Sequence, residues 1–162
     1  MKFLDLEINE EIYKRLVIGS IIVIFVYVIF VLISFSMIKP YKLEKNTIVS
    51  TEDFKTEINL VHQGRLRLEI KGWAYKEGQS IETFESYFVL RNRQTNKMHM
   101  MKTGMEIVEE LKMVDELYDY SMSGLHAQSF LLGLRKGVYD ICILYKNNSE
   151  SILIETGETV TI

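Results

Sequence analysis

The sequence predicts a mainly β fold: one N-terminal transmembrane α-helix, then an antiparallel, immunoglobulin-like β-sandwich with one short helical insertion. Three observations carry this prediction. Residues 16–38 contain no charged side chain. Several later segments alternate apolar and polar residues with a period of two, which is typical of half-buried strands. One segment, residues 104–119, has helical spacing instead.

These observations divide the chain of 162 residues into four parts. Residues 1–15 are predicted to be a cytoplasmic segment, 16–38 a transmembrane helix, 39–50 a juxtamembrane stem and 51–162 an extracytoplasmic domain. About 20 apolar residues cross the hydrocarbon core as a helix, so the uncharged run is long enough. A cleaved signal peptide is the alternative, but its apolar region is only about 7–15 residues long.

The charges that flank the apolar run favour neither orientation by number. We expect a cytoplasmic N-terminus in the cell membrane, because Lys14 and Arg15 abut the run and a long following domain translocates despite its charges. The basic residues on the two sides are Lys2, Lys14 and Arg15 before the run, and Lys39, Lys42 and Lys45 after it.

Three polar residues of the apolar run, Ser20, Tyr27 and Ser34, are predicted to share one face of the helix. Each seven-residue step drifts by only about 20° around a helix. Hydrogen bonds that hydroxyl groups form between membrane helices each contribute about 0.6 kcal/mol to helix association. We therefore expect this face to meet a partner helix, with serine-to-backbone bonds inside the same helix as the alternative.

The strands of the domain are predicted from alternation between turn-rich segments. In RLRLEIKGWAY, residues 65–75, Leu66, Leu68 and Ile70 are expected to face inward. KMHMMKT is expected to return antiparallel to FESYFVLRN. Further strands are predicted in SFLLGL, GVYDICILYKN and ESILIETGETVTI.

The segment TGMEIVEELKMVDELYDY predicts a helix or helical turns over residues 104–119. Thr103 and Glu106 have the spacing of a capping box. The apolar residues at helical spacing are Ile107, Leu111, Val114 and Tyr118.

Acidic residues of the 106–119 insertion raise an alternative function, a small membrane-anchored envelope hydrolase or transferase. That hypothesis expects carboxyl groups with raised pKa in a cleft. The acids lack the order of a calcium-binding loop, so a solvated face is favoured and no metal site is predicted. They are Glu106, Glu109, Glu110, Asp115, Glu116 and Asp119.

Other signatures of chemistry are missing from the sequence. His62, His99 and His126 lie far apart, and neither a nucleophile elbow nor a phosphate-binding loop is present. Cys142 is expected to be a buried thiol. The net charge is −3 with mixed signs, so nucleic acid is not an expected partner. We predict no cofactor and no catalysis.

Trp73 and Tyr75 follow Gly72 near a strand end and are the candidates for glycan or partner contact. Continued alternation turns both rings outward, where they form a platform. A bulge at Gly72 turns Trp73 into the core. We favour the core, because a lone tryptophan usually anchors packing.

Three stretches, IKGWAYKEG, FESYFVLRNRQTNKMH and SGLHAQSFLLGLRKGVYDICILY, together resemble membrane-associated β-sandwich domains of bacterial, Gram-positive-type surface-polysaccharide assembly. The resemblance covers about residues 65–146 and rests on structural residues. It implies an accessory protein beside envelope glycosyltransferases or polymer exporters, with no active-site residue carried over.

The sequence thus predicts a non-catalytic, single-pass membrane accessory protein. Its external domain is expected to bind a protein partner or a glycan, and its helix to dock to a membrane enzyme or transporter. A homomeric scaffold or sensor stem, formed by self-association, is a further alternative.

Overall fold

A computed structural model of the chain describes residues 10–50, 53–81, 85–147 and 150–162. The chain divides between Phe35 and Ser36 into two compact units. The first contains one helix, and the second contains the β-structure.

The N-terminal helix, α1 (Glu10–Ser36), is long and apolar enough to cross a membrane. Its large apolar side chains are exposed around its circumference, as in a helix that is solvated by lipid. It ends before the predicted boundary at residue 38. Ile38 is only 6% exposed and packs in the core of the β-rich unit. The last part of the predicted span therefore belongs to the domain.

The described part of the β-rich unit has ten strands in two sheets. One sheet has the order β1-β6-β5-β9-β10-β2 and the other the order β3-β4-β8-β7. The strands are β1 (Lys39–Tyr41), β2 (Ile48–Val49), β3 (Phe54–Gln63), β4 (Arg67–Lys76), β5 (Tyr87–Asn92), β6 (Met98–Met100), β7 (Thr103–Glu106), β8 (Gly124–Phe130), β9 (Val138–Asn147) and β10 (Glu150–Thr161).

The main core lies between these sheets and follows the predicted alternation. Leu68 and Ile70 of β4 are fully buried with Phe88 of β5 and Ile141 of β9. The prediction is wrong for Leu66, which precedes β4 and is 57% exposed. The mainly β class and the antiparallel return of β6 along β5 are confirmed.

Residues 39–50 are part of this fold, unlike the separate stem that the sequence predicts. β1 pairs with β6 at one edge of the six-stranded sheet, and β2 pairs with β10 at the other edge. Tyr41 and Leu43 pack on a second apolar cluster that includes Cys142. The β2–β10 pair is parallel, so the sheet is not wholly antiparallel as predicted.

Of the helix or helical turns predicted over 104–119, the structure has short helical turns and no continuous helix. Thr103–Glu106 forms β7, which pairs with β8, and only two short 3-10 helices follow, Glu109–Met113 and Ser121–Ser123. The Thr103 hydroxyl accepts a bond from the Phe88 N–H (3.0 Å) instead of capping a helix. Sheet pairing and local side-chain bonds replace the helical hydrogen bonds here.

Candidate functional site on the outer face of the four-stranded sheet

The outer face of the four-stranded sheet carries charged pairs along one half. Glu69 contacts His126 across the β4–β8 pair, with 3.0 Å between Oε1 and Nε2. The Lys71 ammonium group donates to Glu106 on β7 at 2.8 Å. Both pairs are partly exposed, so they add little stability but fix the polarity of this half of the face.

The other half carries a row of four stacked rings: Trp73, Tyr75, Tyr120 and Tyr118. The ring centroids of Trp73 and Tyr75 are 5.4 Å apart, those of Tyr75 and Tyr120 are 4.1 Å apart, and those of Tyr120 and Tyr118 are 6.2 Å apart. Interplanar angles of 13–23° make all three contacts stacked. We call these four residues the aromatic row. It attaches the 107–123 segment to the sheet.

Tyr120 holds the centre of the aromatic row and is almost fully buried. Its hydroxyl group accepts a bond from the Gly78 N–H at 2.8 Å and donates to Asp115 at 3.4 Å. Burial is the main cause that raises the pKa of Tyr120. Leu111 is buried in the same cluster, so the row has an apolar cover.

The position of Trp73 follows from continued alternation through Gly72. The extra residue of the local bulge lies on β3, between Ile58 and Leu60, and leaves the phase of β4 unchanged. A side chain at Gly72 would collide with the Glu57 carbonyl oxygen. Trp73 is half-buried in the aromatic row, outside the main core that we favoured.

Tyr75 does not form an open platform with Trp73. It is only 4% exposed, because Tyr120 covers it. Trp73 is therefore the one of the two rings that retains accessible surface for a ligand. Tyr118 and Tyr120 were not identified as site residues from the sequence: Tyr118 stands in the segment predicted to be helical over 104–119, and Tyr120 directly follows it. The sequence signal that could have indicated them is the pair of nearby aspartates, Asp115 and Asp119, because aspartate side chains that bond to the local backbone compete with a helix.

Two aspartates shape the covering segment through bonds to its own backbone. Asp115 accepts a bond from the Leu117 N–H, and Asp119 accepts one from the Ser121 N–H, both at 2.9 Å. Such bonds compete with a helix. The bonds from Ser121 are the main cause that lowers the pKa of Asp119.

Two carboxyl groups of residues 106–119 have a lowered pKa, those of Glu106 and Asp119. The hydrogen bond from Lys71 is the largest cause that lowers the pKa of Glu106. Glu109, Glu110 and Glu116 are exposed. The hydrolase hypothesis expects raised carboxyl pKa values, and neither Glu106 nor Asp119 has one.

The same segment exposes an unusual amount of apolar surface. The described part of the domain has eleven exposed large apolar side chains, and five of them lie within residues 105–122. Leu117 is 84% exposed, the highest value of the group. We call this set the insertion surface: Met105, Ile107, Val114, Leu117 and Met122. A segment that concentrates exposed large apolar side chains is a candidate interaction site.

The predicted helix face is separate from this domain surface. Ser20 donates its hydroxyl hydrogen to the Leu16 carbonyl at 2.9 Å, which is the bond that the alternative interpretation expects. Tyr27 is 66% exposed along the helix. Its ring is therefore exposed for a contact, whereas the Ser20 hydroxyl group already has a partner. Ser34 lies two residues before the end of α1.

Other sequence candidates have structural positions. Cys142 is buried in β9, and burial raises the pKa of its thiol to about 11. His126 is paired with Glu69, while His62 lies at the end of β3. Within residues 10–50, 53–81, 85–147 and 150–162, no three histidine, cysteine or acidic side chains are grouped to hold a metal ion.

No protein-family model, curated protein or solved structure matches this chain. The resemblance to polysaccharide-assembly domains therefore remains an expectation from three sequence stretches.

Proposed function

We propose that this chain is a non-catalytic, single-pass membrane accessory protein whose external domain binds a protein partner through the insertion surface. The observation that carries the proposal is the concentration of exposed apolar side chains in residues 105–122. Burial of such side chains gives roughly 25 cal/mol per Å² of apolar area, which favours a protein surface as the occupant.

The apolar helix supplies the second half of the proposal. We interpret α1 as a transmembrane anchor with a cytoplasmic N-terminus, and the two-sheet domain as an immunoglobulin-like β-sandwich outside the membrane. The helix face with Tyr27 docks to a membrane enzyme or transporter. Anchoring raises the effective concentration of the domain near that partner, so two weak contacts act together. The sequence resemblance favours a glycosyltransferase or polymer exporter as the partner class.

Photo-crosslinking in cells tests this proposal. A photoreactive amino acid replaces Leu117 in one variant and Tyr27 in another. The control replaces Leu132, which is also exposed but lies outside the insertion surface. We expect positions 117 and 27 to give adducts with the same membrane protein, and position 132 to give none. Adducts only with further copies of this chain would support the homomeric scaffold instead, and an absence of adducts at both sites would refute the proposal.

Trp73 supports glycan binding as a second candidate. Its half-buried ring lies two residues along β4 from Lys71, which is bonded to Glu106. An aromatic face beside polar groups fits a sugar ring. A glycan that loses binding to the Trp73→Ala variant but keeps binding to Leu117→Ser would favour this role over protein docking.

A further inference from the structure

We propose that a groove at one end of the six-stranded sheet binds the phosphate headgroup of an anionic membrane lipid. The groove has a volume of about 680 Å³ and is formed by β1 with the following residues, the β5–β6 turn and the β8–β9 loop. It lies on a different sheet from the aromatic row. The inference rests on the membrane anchoring proposed above.

The charged side chains that line the groove are all positive. Lys42, Lys97 and Arg135 line the groove and are exposed, and the lining includes no carboxylate. Within the described residues, no ion pair uses any of these three cations. A concave surface lined by one sign of charge concentrates the opposite sign, and lysine and arginine are the usual binders of phosphate oxygens.

Local hydrogen bonds also hold the backbone near two of the cations, Lys97 and Arg135, before any ligand arrives. The Asn92 side-chain oxygen accepts bonds from the N–H groups of Gln94 (3.0 Å) and Thr95 (2.9 Å), which closes the turn that leads to Lys97. The Tyr139 hydroxyl group donates to the Arg135 carbonyl at 2.8 Å. A preformed site loses less entropy on binding.

The groove also has an apolar wall, which favours a lipid over a free anion as its ligand. Tyr41, Leu43 and Met98 line the groove and are half-buried against the outer cluster of the six-stranded sheet. His99 lines it as well, edge-on to Tyr139 with 6.2 Å between the ring centroids. Inorganic phosphate would use the cations alone, whereas a lipid also covers the wall with its glycerol and first methylene groups.

The place of the groove residues in the sequence also favours a membrane lipid. β1 begins at Lys39, three residues after α1 ends at Ser36. A residue adds at most about 3.6 Å of length, so this connection spans no more than about 11 Å. Pro40 and Tyr41, which follow at once, are groove residues. Groove residues therefore follow the proposed membrane anchor within five residues of the sequence.

The test uses the full chain in micelles of a neutral maltoside detergent, doped with phosphatidylglycerol or with phosphatidylcholine. Binding is measured from the rise in Tm, and at the site from the pKa of His99 by NMR with labelled histidine. Burial and then Lys97 lower the pKa of His99, and a phosphate group beside the ring would raise it. The other titratable groups that line the groove are Lys42, Arg135, Tyr41 and Tyr139.

We expect phosphatidylglycerol, but not phosphatidylcholine, to raise both the Tm and the His99 pKa. The triple variant K42Q/K97Q/R135Q should weaken apparent affinity by about tenfold or more. The control K45Q/R65Q/K136Q removes two lysines and one arginine outside the groove lining, and it should keep the affinity of the original chain.

Three results would overturn the inference: no response to phosphatidylglycerol, an equal loss of affinity in both triple variants, or an equal response to inorganic phosphate at the same concentration. Equal losses would mean general attraction to a charged surface. Flotation with phosphatidylcholine vesicles tests the anchor separately. A chain that floats yet ignores phosphatidylglycerol refutes only the headgroup site, and a chain that does not float refutes the anchoring.

Discussion

The aromatic row should determine whether the 107–123 segment stays folded on the sheet, and Tyr120→Ala is the direct perturbation. The substitution removes a nearly fully buried ring with stacked neighbours on both sides, Tyr75 and Tyr118. Truncation of a large buried aromatic side chain costs about 3–5 kcal/mol. At about 4 °C per kcal/mol for a domain of this size, the Tm should fall by about 12–20 °C.

Tyr120→Phe separates the ring from its hydroxyl group. It keeps the stacking but loses the bond from the Gly78 N–H, and Gly78 is exposed, so water can replace that partner. The cost should be about 0.5–1.5 kcal/mol. The chain contains a single tryptophan, Trp73, at one end of the aromatic row, so its fluorescence reports on this site alone.

Urea unfolding of the full chain in neutral micelles, followed by Trp73 fluorescence, measures both variants. Tyr120→Ala should lower the unfolding midpoint and shift the native emission of Trp73 to longer wavelength, because Tyr75, on which Trp73 stacks, loses its cover. Equal midpoints for the alanine and phenylalanine variants, with unchanged native emission, would show that the row does not hold the segment.

Three further outcomes follow from particular residues. Cys142, with its pKa raised to about 11 by burial, should resist iodoacetamide at pH 8 until the chain is unfolded; labelling of the native protein would contradict its buried position. Burial, with Lys97, lowers the pKa of His99, so the unfolded chain binds a proton at this histidine more readily than the folded chain does. The free energy of unfolding should therefore fall as the pH drops below about 6.5. Urea titrations over pH 7.5–5.5 should show a smaller fall for His99→Gln. Gly124→Ala places a Cβ against the Glu106 carbonyl oxygen and should lower the Tm, whereas Gly64→Ala meets only a backbone oxygen at 3.7 Å and should not; equal effects would contradict the close approach.

The long elements were predictable from the sequence because each carries many repeats of one pattern. α1 presents nearly six turns without a charged residue, and β4 alternates through Leu68, Ile70 and Ala74. The spacing of the apolar residues in these elements does not depend on which strands or helices they pack against. The inward row of β4 could therefore be assigned before its neighbours were known, except at Leu66, which precedes the strand.

The insertion was mispredicted because its spacing fits two structures. Ile107, Leu111, Val114 and Tyr118 suit one helix face, yet Ile107 and Val114 are exposed in the folded domain. The strand pairing of β7 with β8 and the backbone bonds of the two aspartates decide between the alternatives. The first is a non-local interaction that no local pattern encodes. The candidate site inherits this error, because the segment that covers Tyr75 supplies half of the aromatic row.

The short strands β1 and β2 could not be found from the sequence for a different reason. With bounds of Lys39–Tyr41 and Ile48–Val49, neither is long enough to display a period. Their partners are β6 and β10, which lie far along the chain. Only the pairing identifies them as strands.

This pairing bears on how the anchor and the domain act together. A stem of flexible residues would let the domain diffuse around its anchor and would lower the effective concentration at a membrane partner. Here the twelve positions of residues 39–50 are held instead by β1, by β2, by the bond between Lys146 and Glu44 at 3.2 Å and by the contact of Thr47 with Ser151 at 3.2 Å. Met37, which bridges to Phe130, and Ile38, which is buried in the core, belong to the domain as well. A chain lengthened by a glycine–serine linker between Phe35 and Ser36, where the two units divide, should keep its fold and lose apparent affinity for a membrane partner, because it gains reach without any change in the docking surfaces.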